Sequence, residues 1–518
     1  MLPIQISHKH RAIGVPHRMD VMNLFPQAQQ ITMSGAPTLV VPHGPTETFL
    51  LRKLGFDVPA PILSHYDWCG GTPFDAQKKT CAMLTMNPRA YVLNGMGTGK
   101  TKAALWAWDY LRSNGLANKM LVVAPLSTLK FTWGREVFQT LHGVKAVVLH
   151  GSRDKRLEAL NDPTADIFII NHDGVKVILD EIIAHPDIDT LVLDELAVYR
   201  NGGSQRTKLT RKLAAGMEWV WGMTGSPIPN EPTDAWAQCT IVTPHTVPKY
   251  YGRFRDEVMH RITQFKWAPK PDAVDKAFAV MQPAVRFTLD DVVELPDCIE
   301  RTQDVEMGVK QAKVYRALVD HAHAAVKSKE ITAANAGAVM SKLLQVATGW
   351  VYSSDGSTVP LDNEKRIEAL IDAINGTDRK VLVFAPFKHA LAGISAALTK
   401  EGIDHASVSG DTPADERATI FNLFQNTQKY RVIVAHPQCL AHGITLTAAD
   451  TVIWFAPVTS LEIYDQANHR IRRVGQKHKQ LVLHLQSTPV ERRIYMLLQK
   501  KQRVQEKLLE LFEEASKE

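Results

Sequence analysis

Two short stretches hold most of the chemistry this sequence could perform. The first is NGMGTGKT, Asn94 to Thr101, directly after the apolar run AYVL. Glycines at 95, 97 and 99 let the backbone turn its N–H groups inward, as a chain does when it cradles phosphate oxygens. Gly95, Met96, Gly97, Thr98 and Gly99 would form that cradle, Lys100 would reach the outer phosphates, and Thr101 would offer a hydroxyl to magnesium. A helix opening here would present its positive end to the same anion. The strict phosphate-loop pattern wants glycine at 94, where this chain has Asn94. The second stretch is TLVLDELA, an apolar run that ends in Asp194 and Glu195. One carboxylate there can hold the shell of a Mg2+ ion, and its neighbour can orient or deprotonate an attacking water. Together the two stretches predict ATP, or a related triphosphate, with Mg2+.

A third stretch, YDQANHRIRRVGQ from Tyr464 to Gln476, follows the apolar run TVIWFAP and is rich in arginine. A helix turns about 100° per residue, so a helical reading puts Gln466, Arg470 and Arg473 on one face. Phosphoryl transfer develops negative charge on the equatorial oxygens, and a positioned arginine stabilises it. The upstream half shows no obvious arginine for that task. Arg470 and Arg473 are therefore expected to complete the triphosphate site across a cleft, with Gln466 contacting the phosphate or water network.

These residues need strand exits to stand on. Val-, Leu- and Ile-rich runs recur at 90–94, 120–125, 146–150, 166–171, 190–194 and 219–224. A second set lies at 380–386, 405–409, 431–435, 451–456 and 481–486. Such runs read as strands buried on both faces, and their alternation with helical segments predicts parallel sheets with functional side chains at the carboxyl ends. The fold class is α/β, with two parallel-sheet lobes in tandem. The expected division is a small accessory module at 1–72 with strand TLVV and helix TETFLLRKLGF, a first lobe at 73–240, a mostly helical connector at 241–360, a second lobe at 361–490 and an amphipathic helix at 491–518.

Composition sets outer bounds. A chain of 518 residues is too long for one core. No apolar run approaches the ~20 residues that span a bilayer, and the start lacks a secretory apolar stretch, so no membrane partner and a cytoplasmic location are expected. The five cysteines are scattered without a CxxC pair, which argues against a disulfide framework. His436, Cys439 and His442 in HPQCLAH have ligand-like spacing but no fourth ligand nearby, so they are read as a strand-to-loop exit rather than a zinc site. The net charge of +6 is compatible with a polyanionic partner without demanding one.

In their order along the chain, these stretches resemble the motifs of superfamily 2 helicases, specifically the Swi/Snf-like branch of DNA translocases. NGMGTGKT is similar to motif I, and LVVAPLSTLKFTWGREV (121–137) to motif Ia, with Ser127, Thr128 and Trp133 in register. LVLDELAVYRN resembles motif II, GMTGSPIPN (222–230) motif III, VLVFAPF motif IV, HGITLTAADTVIW (442–454) motif V and DQANHRIRRVGQ motif VI. Motif II departs from the family at Leu196 and Ala197, where the branch usually ends in Ala-His. Motif V lacks the usual Arg-Ala-Gly-Gly run. The compact form resembles viral (phage) or bacterial members, which would work in the host cytoplasm or nucleoid.

The resemblance implies two RecA-like lobes that grip one strand of double-stranded DNA through its phosphates. It implies Ser127, Thr128, Gly443 and Thr445 as DNA contacts, Thr224 and Ser226 as the coupling between γ-phosphate and DNA track, and Gln77 in PFDAQKKT as the adenine-recognising glutamine. The function expected on this basis is a monomeric, DNA-stimulated ATPase that translocates on duplex or branched DNA and remodels forks or junctions. The alternatives are a strand-separating DNA or RNA helicase, and an ATP-gated clamp with little turnover.

Overall fold

The computed structural model describes residues 4–500 apart from 34, 265, 328–332, 353–357 and 441–443. It divides into two compact units, Met1–Val292 and Val293–Glu518.

The first unit is built on a seven-stranded sheet. Its order is Ala284–Val285, Arg89–Val92, Trp219–Met223, Ile188–Asp194, Lys119–Ala124, Ile167–Asn171 and Ala146–Leu149. Every neighbouring pair is parallel. Side-chain parity explains why these runs are apolar throughout. Leu121, Val123, Leu191 and Leu193 enter one core, while Met120, Val122, Ala124 and Val192 enter another. A strand buried on both faces has no solvent side on which to place polar residues.

The accessory module forms a four-stranded antiparallel sheet of Gln5–Ser7, Ala12–Pro16, Ala36–Pro42 and Gln29–Met33. The expected TLVV strand and the helix Pro45–Lys53 are both present. Its own core runs from Ile13 to Val58. Ala60 and Ile62 already pack with the large sheet, so the module's hydrophobic boundary falls before residue 72.

The second unit carries a six-stranded parallel sheet in the order Cys298–Asp304, Gln480–Gln486, Ala449–Trp454, Lys380–Phe384, Val432–Ala435 and His405–Val408. The same parity holds. Leu382, Phe384, Val452 and Trp454 enter one core, and Val381, Val383 and Ile453 the other. A buried ion pair, Arg366 to Glu491 at 2.7 Å, ties its helices to its strands. Arg366 also donates to the carbonyls of Ala347 and Leu485 and to Ser487 Oγ.

The stretch 241–360, expected as a mostly helical connector, also carries strands. Ala284–Val285 joins the first sheet as an edge strand, Cys298–Asp304 joins the second, and Met259–Arg261 pairs with Trp267–Pro269 in a hairpin. Helices Val309–Lys327 and Ala333–Thr348 belong to the second unit. The helix expected from 491 is present as Pro489–Gln499, with Ile494, Leu497 and Leu498 buried; Val504, Leu508, Leu511 and Phe512 lie outside the described residues. Among the described residues no helix is long and apolar enough to cross a membrane.

Candidate functional site

In the first unit, the loop after strand Arg89–Val92 leads into helix Lys100–Ser113. Gly97 (φ +78°) and Gly99 (φ +77°) adopt left-handed backbone, which a side chain would oppose. Space also matters at Gly99: an added Cβ would lie 2.3 Å from Gln77 Nε2. Lys100 Nζ donates to the carbonyls of Asn94 and Gly95, both at 2.9 Å, so the ammonium lies over the mouth of the loop. Thr98 Oγ1 donates to Gly95 O. Thr101 is half-buried in the first turn of the helix.

Asn94 has a structural reason to replace the usual glycine. Its Nδ2 donates to Thr80 Oγ1 at 3.1 Å, and its Oδ1 accepts the Phe287 N–H at 3.0 Å. The loop is thereby fastened to helix Asp75–Met86 on one side and to the segment after the edge strand on the other. Gly95 N–H adds a bond to Phe287 O at 2.7 Å. Nothing local in the sequence marks residues 283–287 as the neighbour of this loop.

Gln77 is 4% exposed. Its Oε1 accepts the Phe74 N–H at the start of the helix, and its Nε2 donates to Gly99 O at 3.2 Å. The amide therefore joins a helix cap to the phosphate loop.

Asp194 and Glu195 stand at the carboxyl end of strand Ile188–Asp194. Trp133 Nε1–H donates to Asp194 Oδ2 at 2.9 Å, and the Glu195 N–H donates to Oδ1. Burial pushes the Asp194 carboxyl above its ordinary range, opposed by the Trp133 donor, the Lys100 ammonium and the Glu195 N–H. Glu195 has φ +55°, an uncommon conformation for a residue with a side chain. Strain of this kind is held where surrounding contacts fix it. Here Glu195 Oε1 accepts from Thr224 Oγ1 at 3.2 Å, and Thr224 Oγ1 accepts the Ser226 N–H at 3.1 Å. The carboxylate is thus wired directly to the 224–226 loop.

Leu196 and Ala197, the departures from the family pattern, are buried. Leu196 packs over Gly222, where a Cβ would meet its Cδ2 at 2.6 Å. The link between the two motifs runs through Glu195 and Thr224, with an apolar contact beside it.

Ser127 is exposed on the 3-10 turn Leu126–Thr128. Thr128 is buried, and its hydroxyl donates to Pro125 O at 2.8 Å. Trp133, significant in the sequence only through its motif register, proves to be the donor that orients Asp194.

In the second unit, helix Leu461–Asn468 ends before the arginines. Gln466, Arg470 and Arg473 therefore do not share a helical face. The cause is a substitution of donors: Arg470 Nε takes the Gln466 carbonyl at 2.8 Å, and the Arg470 N–H turns to Ala467 O at 3.1 Å. The chain leaves the helix in turns, yet the arginines converge by another route. Arg470 Nη1 donates to Ile444 O at 2.9 Å, and Arg473 Nη1 to Thr445 Oγ1 at 3.2 Å. Arg470 is 2% exposed. Arg473 is half-buried, and desolvation lowers its guanidinium to about 10, which leaves it a cation at neutral pH. Gln466 is buried, with Nε2 on Glu462 Oε1.

Gln476, which sequence reasoning left without a role, organises both loops. Its Nε2 donates to Ala449 O at 2.9 Å and Ile471 O at 3.2 Å, and its Oε1 accepts from Lys477 and His478. Gly443 and His442 lie outside the described residues. The strand before them passes into the turn Pro437–Leu440, the strand-to-loop exit that HPQCLAH suggested.

Comparison with known proteins adds to this geometry. Residues 83–350 match the SNF2-related domain, and residues 365–475 match the helicase conserved C-terminal domain. A protein named p41 from Acyrthosiphon pisum secondary endosymbiont phage 1 is 28% identical over 401 residues, covering 74% of this chain and 85% of that protein. An ATP-dependent helicase of Mycoplasma genitalium is 25% identical over 424 residues, covering 80% of this chain but only 40% of that protein. Among solved structures, the SWI2/SNF2 ATPase core of Sulfolobus solfataricus in complex with dsDNA matches at 22% identity over 83% of this chain and 92% of that chain, with a TM-score of 0.40. With its two parallel-sheet lobes and its phosphate loop, the chain belongs to the SNF2-related family of ATP-dependent helicases.

Proposed function

We propose that this protein is an ATP-driven translocase on double-stranded DNA, and that it works as a monomer. The observation that carries the proposal is the hydrogen bond from Thr224 to Glu195, which continues to the Ser226 N–H. The bond gives the Glu195 carboxylate a direct connection to a neighbouring loop, as a site that passes on its hydrolytic state requires.

The residues present fit ATP and Mg2+. Gly95–Gly99 offer backbone donors, Lys100 offers a cation, and Thr101 and Asp194 offer oxygen ligands suited to a hard cation. When bound, Mg2+ would supply neutralisation of the charge that develops on the phosphates. Trp133 holds Asp194 in orientation, and Glu195 aligns and deprotonates water. Arg470 and Arg473 supply positive charge to the transition state, and Gln466 fixes Arg470 through its carbonyl. Gln77 secures the loop. Ser127, Gly443 and Thr445 contact DNA phosphates. Phosphate contacts position a protein without reading sequence, so binding is largely non-specific and salt-sensitive.

Measuring ATP turnover with linear duplex, forked duplex, four-way junction, single-stranded DNA and RNA tests the proposal. Stimulation by duplex-containing DNA is the expected outcome. If no nucleic acid raises turnover, the translocase reading gives way to an ATP-gated clamp.

A further inference from the structure

The segment from Lys249 to Lys270 belongs to none of the helicase motifs, yet it concentrates charge. It holds six lysines and arginines against two acids, Asp256 and Glu257, a formal +4 in a chain whose total is +6. The fold anchors it to the first unit. Helix Tyr251–Val258 runs into strand Met259–Arg261, which pairs antiparallel with Trp267–Pro269. Phe254, Val258 and Met259 are buried in the core of the first unit. Trp236 Nε1 donates to Pro248 O at 2.8 Å, and the Trp236 ring meets Tyr251 edge-on at 5.5 Å.

What remains faces solvent. Lys249, Arg253, Arg261 and Lys266 are exposed, with Tyr250 (64% exposed) and Ile262 among them. Among the described residues none of these four cations pairs with a carboxylate; the ion pair within the segment is Arg255 with Asp256. Arg255 also lies 3.8 Å from the centre of the Trp267 ring, so it serves the platform itself. Arg261 is held in place by bonds to the carbonyls of Thr263 and Gln264.

Exposed cations without carboxylate partners repel one another and lower the stability of an isolated chain. A polyanion reverses that cost by releasing its condensed counter-ions. The exposed Tyr250 beside the cations adds a hydroxyl that can donate to a phosphate oxygen. A membrane would require a broader apolar face than Tyr250 and Ile262 provide. We infer that the hairpin platform, through Lys249, Arg253, Arg261 and Lys266, is a second DNA-backbone contact, separate from the helicase motifs. The inference rests on duplex DNA being the substrate of the proposed function.

The test uses the full chain with Lys249→Gln, Arg253→Gln and Lys266→Gln combined, leaving Arg261 to hold the turn. Binding of a labelled blunt duplex is followed by fluorescence anisotropy without nucleotide, across a salt series, beside DNA-free ATP turnover. Expected is at least a tenfold loss of duplex affinity, a salt slope shallower by about 2–3 (three lost contacts at ~0.9 each), and unchanged basal turnover. Poly-glutamate should bind far more weakly than duplex at equal ionic strength. An unchanged affinity and salt slope overturns the inference, as does poly-glutamate binding equal to that of duplex, which would assign the surface to an acidic protein. If the parent chain binds duplex through the platform but its ATP turnover ignores DNA, the translocase proposal fails and the platform stands. If the parent binds no duplex at all, both fail.

Discussion

The carboxylates at the end of strand Ile188–Asp194 and the arginines of the 470–473 turn are held in opposite ways. At the first site, polar side chains reach across to separate elements: Asn94 to Thr80 and Phe287, Asp194 to Trp133, Glu195 to Thr224. At the second, the arginines lean on the carbonyls of their own turn and on one adjacent loop, through Gln466, His469, Ile444 and Thr445. A site tied to several separate elements is held by the packing of the unit around it. A site braced by two loops is set by how those loops fold, which suits a part that must engage and release.

If this contrast is functional, damage to the two sites should differ in kind. The largest effect is expected from Lys100→Ala. The ammonium lies over the loop mouth on two carbonyls, and its loss should weaken ATP binding and also cut turnover by about 10²–10³-fold. Nucleotide binding by fluorescence and steady-state turnover measure the two parts. Arg473→Ala should leave ATP affinity intact and slow hydrolysis by roughly a hundredfold or more. Turnover close to that of the parent would reduce the arginine turn to a basic surface and erase the contrast.

The sequence disclosed these sites unequally, for physical reasons. Strands such as Lys119–Ala124 and Lys380–Phe384 were legible because burial on both faces removes polar residues from them. The phosphate loop was legible because strand, turn and helix follow one another locally. Cys298–Asp304 was not: it is a largely exposed edge strand, CIERTQD, whose pairing with Gln480–Gln486 is its main mark as a strand. The arginine turn was half legible. Its arginines stand out in the sequence, but no period rule foresees a guanidinium capturing the carbonyl its own N–H would have used. Gln476 and the Asn94–Phe287 bond depend on chain segments far apart in sequence, and composition at either end is silent about them.

An intermediate effect should sharpen the contrast from the first lobe. Trp133→Phe keeps the ring in the core but removes the donor to Asp194 Oδ2. A hydrogen bond to a charged group is worth about 1.5–3 kcal/mol, so turnover should fall by about ten- to a hundredfold. The pH dependence has a definite sign. Burial already raises the Asp194 carboxyl, and Trp133 is among the groups that hold it down. Without the indole N–H the carboxyl rises further, the ionised form is lost sooner on acidification, and the acid limb of the turnover profile moves to higher pH. A profile that keeps its acid limb in place would show that Trp133 merely fills space.

The smallest effect should come from Thr445→Val in the second lobe. The hydroxyl gives Arg473 a neutral acceptor at 3.2 Å, while the Nε–H stays on His469 O at 3.0 Å. One neutral hydrogen bond contributes about 0.5–1.5 kcal/mol, so hydrolysis at saturating DNA should slow by no more than about tenfold. Thr445 is exposed and is also proposed to touch DNA, so sub-saturating assays would mix two losses. Titrating DNA to saturation separates them: a weaker DNA response belongs to the track, and a lower plateau belongs to the arginine. If the plateau drops as far as in Arg473→Ala, one exposed hydroxyl sets the position of the guanidinium. The second site would then be as tightly determined as the first, and the manner of bracing would no longer distinguish the two.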